Sequence, residues 1–89
     1  MTKRAPRPED NRRREDNERS LMLINDDINS FDHVIKSLVN VCGHDKIQAE
    51  QCAVLTHIKG GCIIKIADTT TLEKMSAELR KLSIDTVVI

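Results

Sequence analysis

Asn25, Asp26 and Asp27 stand side by side directly after an apolar run, and they are the residues of this chain best suited to hold a partner. Two adjacent carboxylates at the end of a strand admit three readings. The first is turn chemistry, in which the acids steer the chain into the next helix. The second is a metal site, but a hard cation needs several further oxygens and no EF-hand loop pattern supplies them. The third is a site for a cationic group, an amine or an Arg or Lys side chain, bound by a carboxylate together with the Asn25 amide oxygen. His57 lies late in a helical segment, where a lone histidine is usually a surface or capping residue and the helix dipole favours its charged form. His33 and His44 read the same way. A nucleophilic pair of His57 with Cys42, Cys52 or Cys62 lacks an orienting acid and an oxyanion hole. With no Gly-rich phosphate loop either, the chain reads as a non-enzyme that needs no cofactor or metal.

The elements around these residues follow from spacing. Residues 21–24, Leu-Met-Leu-Ile, form a short apolar run that reads as a buried strand. Ser30 is placed to cap a helix with Asp32 in its first turn. Phe31, Val34, Ile35, Leu38, Val41 and Cys42 supply that helix with an apolar face, and Gly43 ends it. Asp45 caps a second helix. Ile47, Val54 and Ile58 mark an apolar stripe on it, next to a face of small residues, Ala49, Cys52, Ala53 and Thr56, where another element can approach closely. Gly60 and Gly61 stop this helix, and residues 62–66, Cys-Ile-Ile-Lys-Ile, read as the best strand of the chain. A third helix starts at Asp68 or one of the three threonines after it, with Leu72, Met75, Leu79 and Leu82 on its apolar face. Residues 86–89 make a last short strand. The order is β-α-α-β-α-β, an α+β class domain. A small three-stranded antiparallel sheet with the helices packed on one face buries these stripes together.

At 89 residues the chain has room for one small domain. Residues 1–20 contain seven Lys and Arg against five Asp and Glu, whereas residues 21–89 contain seven against nine. The zero net charge therefore conceals a weakly basic extension and a weakly acidic body. Met1 and Ala5 are the only apolar side chains of the extension apart from its prolines, too few to offset an ordering entropy of roughly 1–2 kcal/mol per residue, so residues 1–20 are expected to be disordered. Acidic residues flank Arg12, Arg13 and Arg14 on both sides, and the body has no basic patch with aromatic platforms, which argues against nucleic acid. No apolar run reaches the ~20 residues of a membrane span, and no hydrophobic signal core opens the chain, so a cytoplasmic protein is expected. The three cysteines show no CxxC spacing and read as small core residues in a reducing compartment.

The stretch LMLINDDINSFDHVIKSLVNVCGHDKIQAEQCAVLTHIKGG, followed by a strand, a helix and a strand, resembles the ClpS adaptor family. The specific part is the apolar strand, the Asn-Asp-Asp tripeptide, the amphipathic helix and then His57-Ile58-Lys59-Gly60 about thirty residues on. The resemblance implies an adaptor core over residues 21–89 that binds N-degrons, free N-termini beginning with Leu, Phe, Tyr or Trp. It also implies a Clp-type AAA+ unfoldase as partner, ClpA-like or ClpC-like, that feeds a protease, and a monomer. By position, Asn25, Asp26 and His57 match the residues that grip the substrate's α-ammonium group, and Asp27 matches a second acid. Asn29, Phe31, Val34, Ala53 and Thr56 match pocket positions, and Glu73 and Lys74 are the nearest charged residues to the unfoldase-docking surface. The N-terminal extension matches one needed for delivery. Three departures stand out. Ser30 replaces a common Pro, Phe31 replaces a common Met at the gate and favours Leu or Phe over Trp, and the chain stops at Ile89 where a further pocket residue is common. Two other readings remain open at this point. One is an unfoldase regulator with a diverged pocket. The other is an interaction domain like that of the ribosomal stalk, which the acidic body disfavours.

Overall fold

The computed structural model describes residues 18–25 and 28–89. Asp26, Asp27 and residues 1–17 of the extension lie outside the described residues. The elements are β1 (Glu18–Ile24), α1 (Phe31–Cys42), α2 (Lys46–Lys59), β2 (Gly61–Asp68), α3 (Thr69–Lys81) and β3 (Thr86–Val88). The expected order holds. One boundary needs correction, because Glu18, Arg19 and Ser20 belong to β1 and not to the extension. Ser20 exchanges backbone hydrogen bonds with Ile89 at 3.0 and 2.8 Å, and it pairs with Ile66 on its other side. Ladder bonds use main-chain groups, so a polar segment joins a sheet whenever its neighbours offer free edges.

The caps form where short polar side chains and glycines demand them. The Ser30, Asp45 and Asp68 side chains accept the N–H groups of His33, Gln48 and Thr71, which starts the three helices. Gly43 and Gly60 close α1 and α2 with φ of 72° and 93°, a region that L side chains avoid. The end of α3 is different. Ser83 takes φ 67° without being glycine, Ser83 N–H donates to Arg80 O, and Ile84 N–H reaches back to Leu79 O.

The sheet is antiparallel with order β2-β1-β3, so β1 is central. Leu21 pairs with Lys65 and Met22 with Ile63, which leaves Ile64 as an extra residue in a bulge. Leu21, Leu23 and Ile64 on one sheet face pack with Leu38, Cys42, Ala49, Cys52, Leu72, Leu79 and Ile84. The helices therefore cover that face alone. Ile63, Ile66 and Val87 remain exposed.

Three readings of side chains change. On α2 the small residues Ala49, Cys52, Ala53 and Thr56 are the buried face. Ile47, Val54 and Ile58 are 68%, 47% and 70% exposed, although an apolar stripe is expected to pack. Leu82, expected in the face of α3, is likewise exposed, and Ile84 fills the core instead. His44 is buried and not a surface residue. Its Nε2 donates to the carbonyl of the bulged Ile64 at 2.8 Å, and its Nδ1 has no partner among the described residues.

Candidate functional site

The site forms where the end of β1, the start of α1 and the last turns of α2 meet. Asn25 N–H donates to Gly60 O at 3.2 Å, which holds the end of the central strand against the end of α2. The Ser30 cap fixes the first turn of α1 and with it Phe31 and Val34. On the facing helix, Ala53 and Thr56 are buried and His57 is exposed. These side chains, with Leu23, Ile24 and Asn29, enclose a cavity of about 310 Å³.

Asn25, Asn29, Phe31, Val34, Ala53, Thr56 and His57, the described residues singled out for the site and its pocket, all line this one cavity. Leu23, Ile24 and Ser30 also line it and are missed by sequence reasoning. Leu23 and Ile24 read as strand residues and Ser30 as a cap, although their position next to Asn25 and Phe31 in sequence places them at the cavity. Glu73 and Lys74 are exposed on α3 and do not line the cavity.

The cavity has an apolar body. The Thr56 hydroxyl donates to Cys52 O at 2.8 Å, so its polar atom is already partnered by the helix backbone. Phe31 stands edge-on to His57, with ring centroids 5.4 Å apart and planes at 67°, a favourable aromatic geometry. Polar atoms come from Asn25, Asn29, Ser30 and His57, and His57 is the sole titratable group among the described lining residues. Two of them are tied down, since Asn29 Nδ2 donates to Ser83 O at 2.8 Å and Ser30 Oγ accepts the His33 N–H at 3.1 Å.

No cysteine lines the cavity. Burial pushes the Cys42 thiol up to about 11, and burial together with the neighbouring Cys62 thiol pushes Cys52 up to about 12, which makes them poor nucleophiles. Among the described residues, no group of three or more His, Cys, Asp or Glu side chains is arranged to hold a metal ion. The arrangement suits recognition of a small apolar group that carries hydrogen-bond donors.

The family model for ATP-dependent Clp protease adaptor protein ClpS matches residues 14–86. The chain belongs to the ClpS family. ClpS proteins are adaptors of the Clp protease and not proteases themselves. Among solved structures, this ClpS-family chain is similar to Agrobacterium tumefaciens ClpS2 bound to L-phenylalaninamide. The TM-score is 0.79 at 16% sequence identity, covering 82% of this chain and 95% of that one, a likeness of fold. A sequence comparison with curated proteins finds no match. No helix among the described residues is long and apolar enough to cross a membrane.

Proposed function

We propose that this ClpS-family chain binds proteins whose free N-terminus begins with a bulky apolar residue and presents them to a Clp-type AAA+ unfoldase. The observation that carries this reading is the cavity of about 310 Å³, apolar in its body, on which Asn25 and His57 converge from elements far apart in sequence. An α-amino group has a pKa near 8 and is mostly protonated at neutral pH. The Asn25 amide oxygen, the Asp26 carboxylate and a neutral His57 nitrogen share its three N–H donors. Asp27 matches the second acid of the family. An acetylated or internal nitrogen lacks both the charge and the donors. The first side chain enters between Phe31, Val34, Ala53 and Thr56, where burial contributes roughly 1.5–3 kcal/mol. A charged first residue would lose its hydration there without a partner. The bound L-phenylalaninamide of the structurally similar ClpS2 has the same two features, a free amine and an apolar side chain. In this reading Glu73 and Lys74 on α3 contact the unfoldase, and the N-terminal extension assists delivery.

The test measures affinities for matched fluorescent peptides beginning with Leu, Phe, Trp, Arg and acetyl-Leu. Free Leu and Phe peptides are expected to bind best. If they bind no better than the acetylated control, the degron reading is wrong, and a regulator with a diverged pocket becomes the better account of a Clp adaptor.

A further inference from the structure

We infer that the turn linking α3 to β3 is a buttress that sets the width of the cavity, and that His33 is a positioning residue acting through it. The inference rests on the reading of the cavity as the N-degron pocket. The two walls of that pocket are held differently. The α2 wall is anchored from behind, because Ala49 and Cys52 are buried in the core. The opposite wall, the first turn of α1, is exposed or half-buried. Val34 packs it against the core, and two side-chain hydrogen bonds tie it to the turn after α3. Asn29 Nδ2 donates to Ser83 O at 2.8 Å, and His33 Nε2 lies 2.7 Å from Leu82 O. A carbonyl only accepts, so the His33 Nε2 carries the hydrogen. The two donors are four residues apart and bracket Ser30 and Phe31, and their acceptors are consecutive carbonyls of one turn.

The turn is built to present those carbonyls. The N–H groups of Leu82, Ser83 and Ile84 turn back onto Leu79 and Arg80, which satisfies the end of α3 and leaves the Leu82 and Ser83 carbonyls for other donors. Ser83 holds the left-handed conformation that makes this reversal, and Ile84, 1% exposed, roots the turn in the core. His33 itself does not line the cavity. Loss of its bond frees the α1 wall to move outward while the α2 wall stays in place. The pocket then discriminates less against wide first side chains.

The experiment compares the full chain with His33→Ala and His33→Gln for peptides beginning with Leu, Phe, Trp and acetyl-Phe. Amide hydrogen exchange at Val34 and Ile35 is followed in parallel. His33→Ala should shift the Trp-to-Leu affinity ratio toward Trp by roughly three- to tenfold, the range expected for one lost hydrogen bond, and it should speed exchange at both amides. Gln offers a donor for the same carbonyl and should restore the wild-type ratio. A purely structural role would lower stability but leave the ratio among folded molecules unchanged. A wild-type chain that discriminates free from acetylated peptides, with ratios unmoved in His33→Ala, overturns the buttress alone. A wild-type chain that binds Phe and acetyl-Phe peptides alike overturns the pocket reading and the buttress with it.

Discussion

Replacing His57 separates two contributions that the structure superimposes on one side chain. The ring meets Phe31 edge-on at 5.4 Å, and its nitrogen is the proposed acceptor for the ligand's ammonium group. An edge-to-face aromatic pair contributes about 0.5–1.5 kcal/mol beyond its buried area, whereas a hydrogen bond to a charged group contributes about 1.5–3 kcal/mol. His57→Phe keeps an aromatic ring against Phe31 and removes the acceptor. Its affinity for a Phe-initiated peptide should therefore fall by roughly 10- to 150-fold, each 1.4 kcal/mol being tenfold. His57→Ala loses both terms and should bind more weakly still. The assay is fluorescence anisotropy with a free and an acetylated version of one peptide, alongside thermal unfolding. The acetylated peptide is the internal reference, because it offers no ammonium group for His57 to accept from. If His57→Phe loses affinity equally for both peptides, or loses none, His57 does not accept from the amine and the proposed geometry of the site is refuted.

The remaining predictions concern stability. Ser83→Gly relieves a left-handed conformation that costs a non-glycine residue roughly 1–2 kcal/mol, offset in part by the greater entropy loss of glycine. The variant should gain about 0.5–1 kcal/mol and raise Tm by several degrees. Leu79→Ala empties a fully buried position of the core and should lower the unfolding free energy by about 2–5 kcal/mol in urea titration. The raised Cys42 and Cys52 thiols give an alkaline limit. Their protonated forms are favoured on folding, so this stabilisation is intact below pH 9 and is lost as the pH rises toward about 11–12. The urea midpoint should fall over that window, and a Cys42→Ala, Cys52→Ala double variant should show less of the fall.

Much of the architecture is legible because it depends on local chemistry. Ser30, Asp45 and Asp68 cap their helices, and Gly43 and Gly60 end theirs, since each needs only a short polar side chain or a missing Cβ. The orientation of α2 is not legible in the same way. Hydropathy ranks Ile47, Val54 and Ile58 above Ala49, Cys52, Ala53 and Thr56, yet the small residues face inward. Close approach to α1 and β2 selects for volume, which a hydrophobicity pattern does not measure. His44 and Ser83 escape for another reason, because their partners, Ile64 in a bulge and the carbonyls of α3, are defined only by tertiary register. That Asn25 and His57 line one cavity is non-local too. No periodicity links them, and it was the family resemblance that placed them together.

The central position of β1 has a consequence for how the domain comes into being. Met22 pairs with Ile63 and Val87, 41 and 65 residues further along the chain. The strand that leads into Asn25 is made before its neighbours and is completed on its second side only when β3 arrives. Such distant pairings slow folding, because a large loop must close before any contact compensates for it. Until β3 has left the ribosome, β1 exposes an open edge beside an unfinished core. The sheet that carries the candidate site is therefore complete only once β3 has been made. A nascent fragment that already contains every residue lining the cavity would still lack the strand that holds the sheet closed.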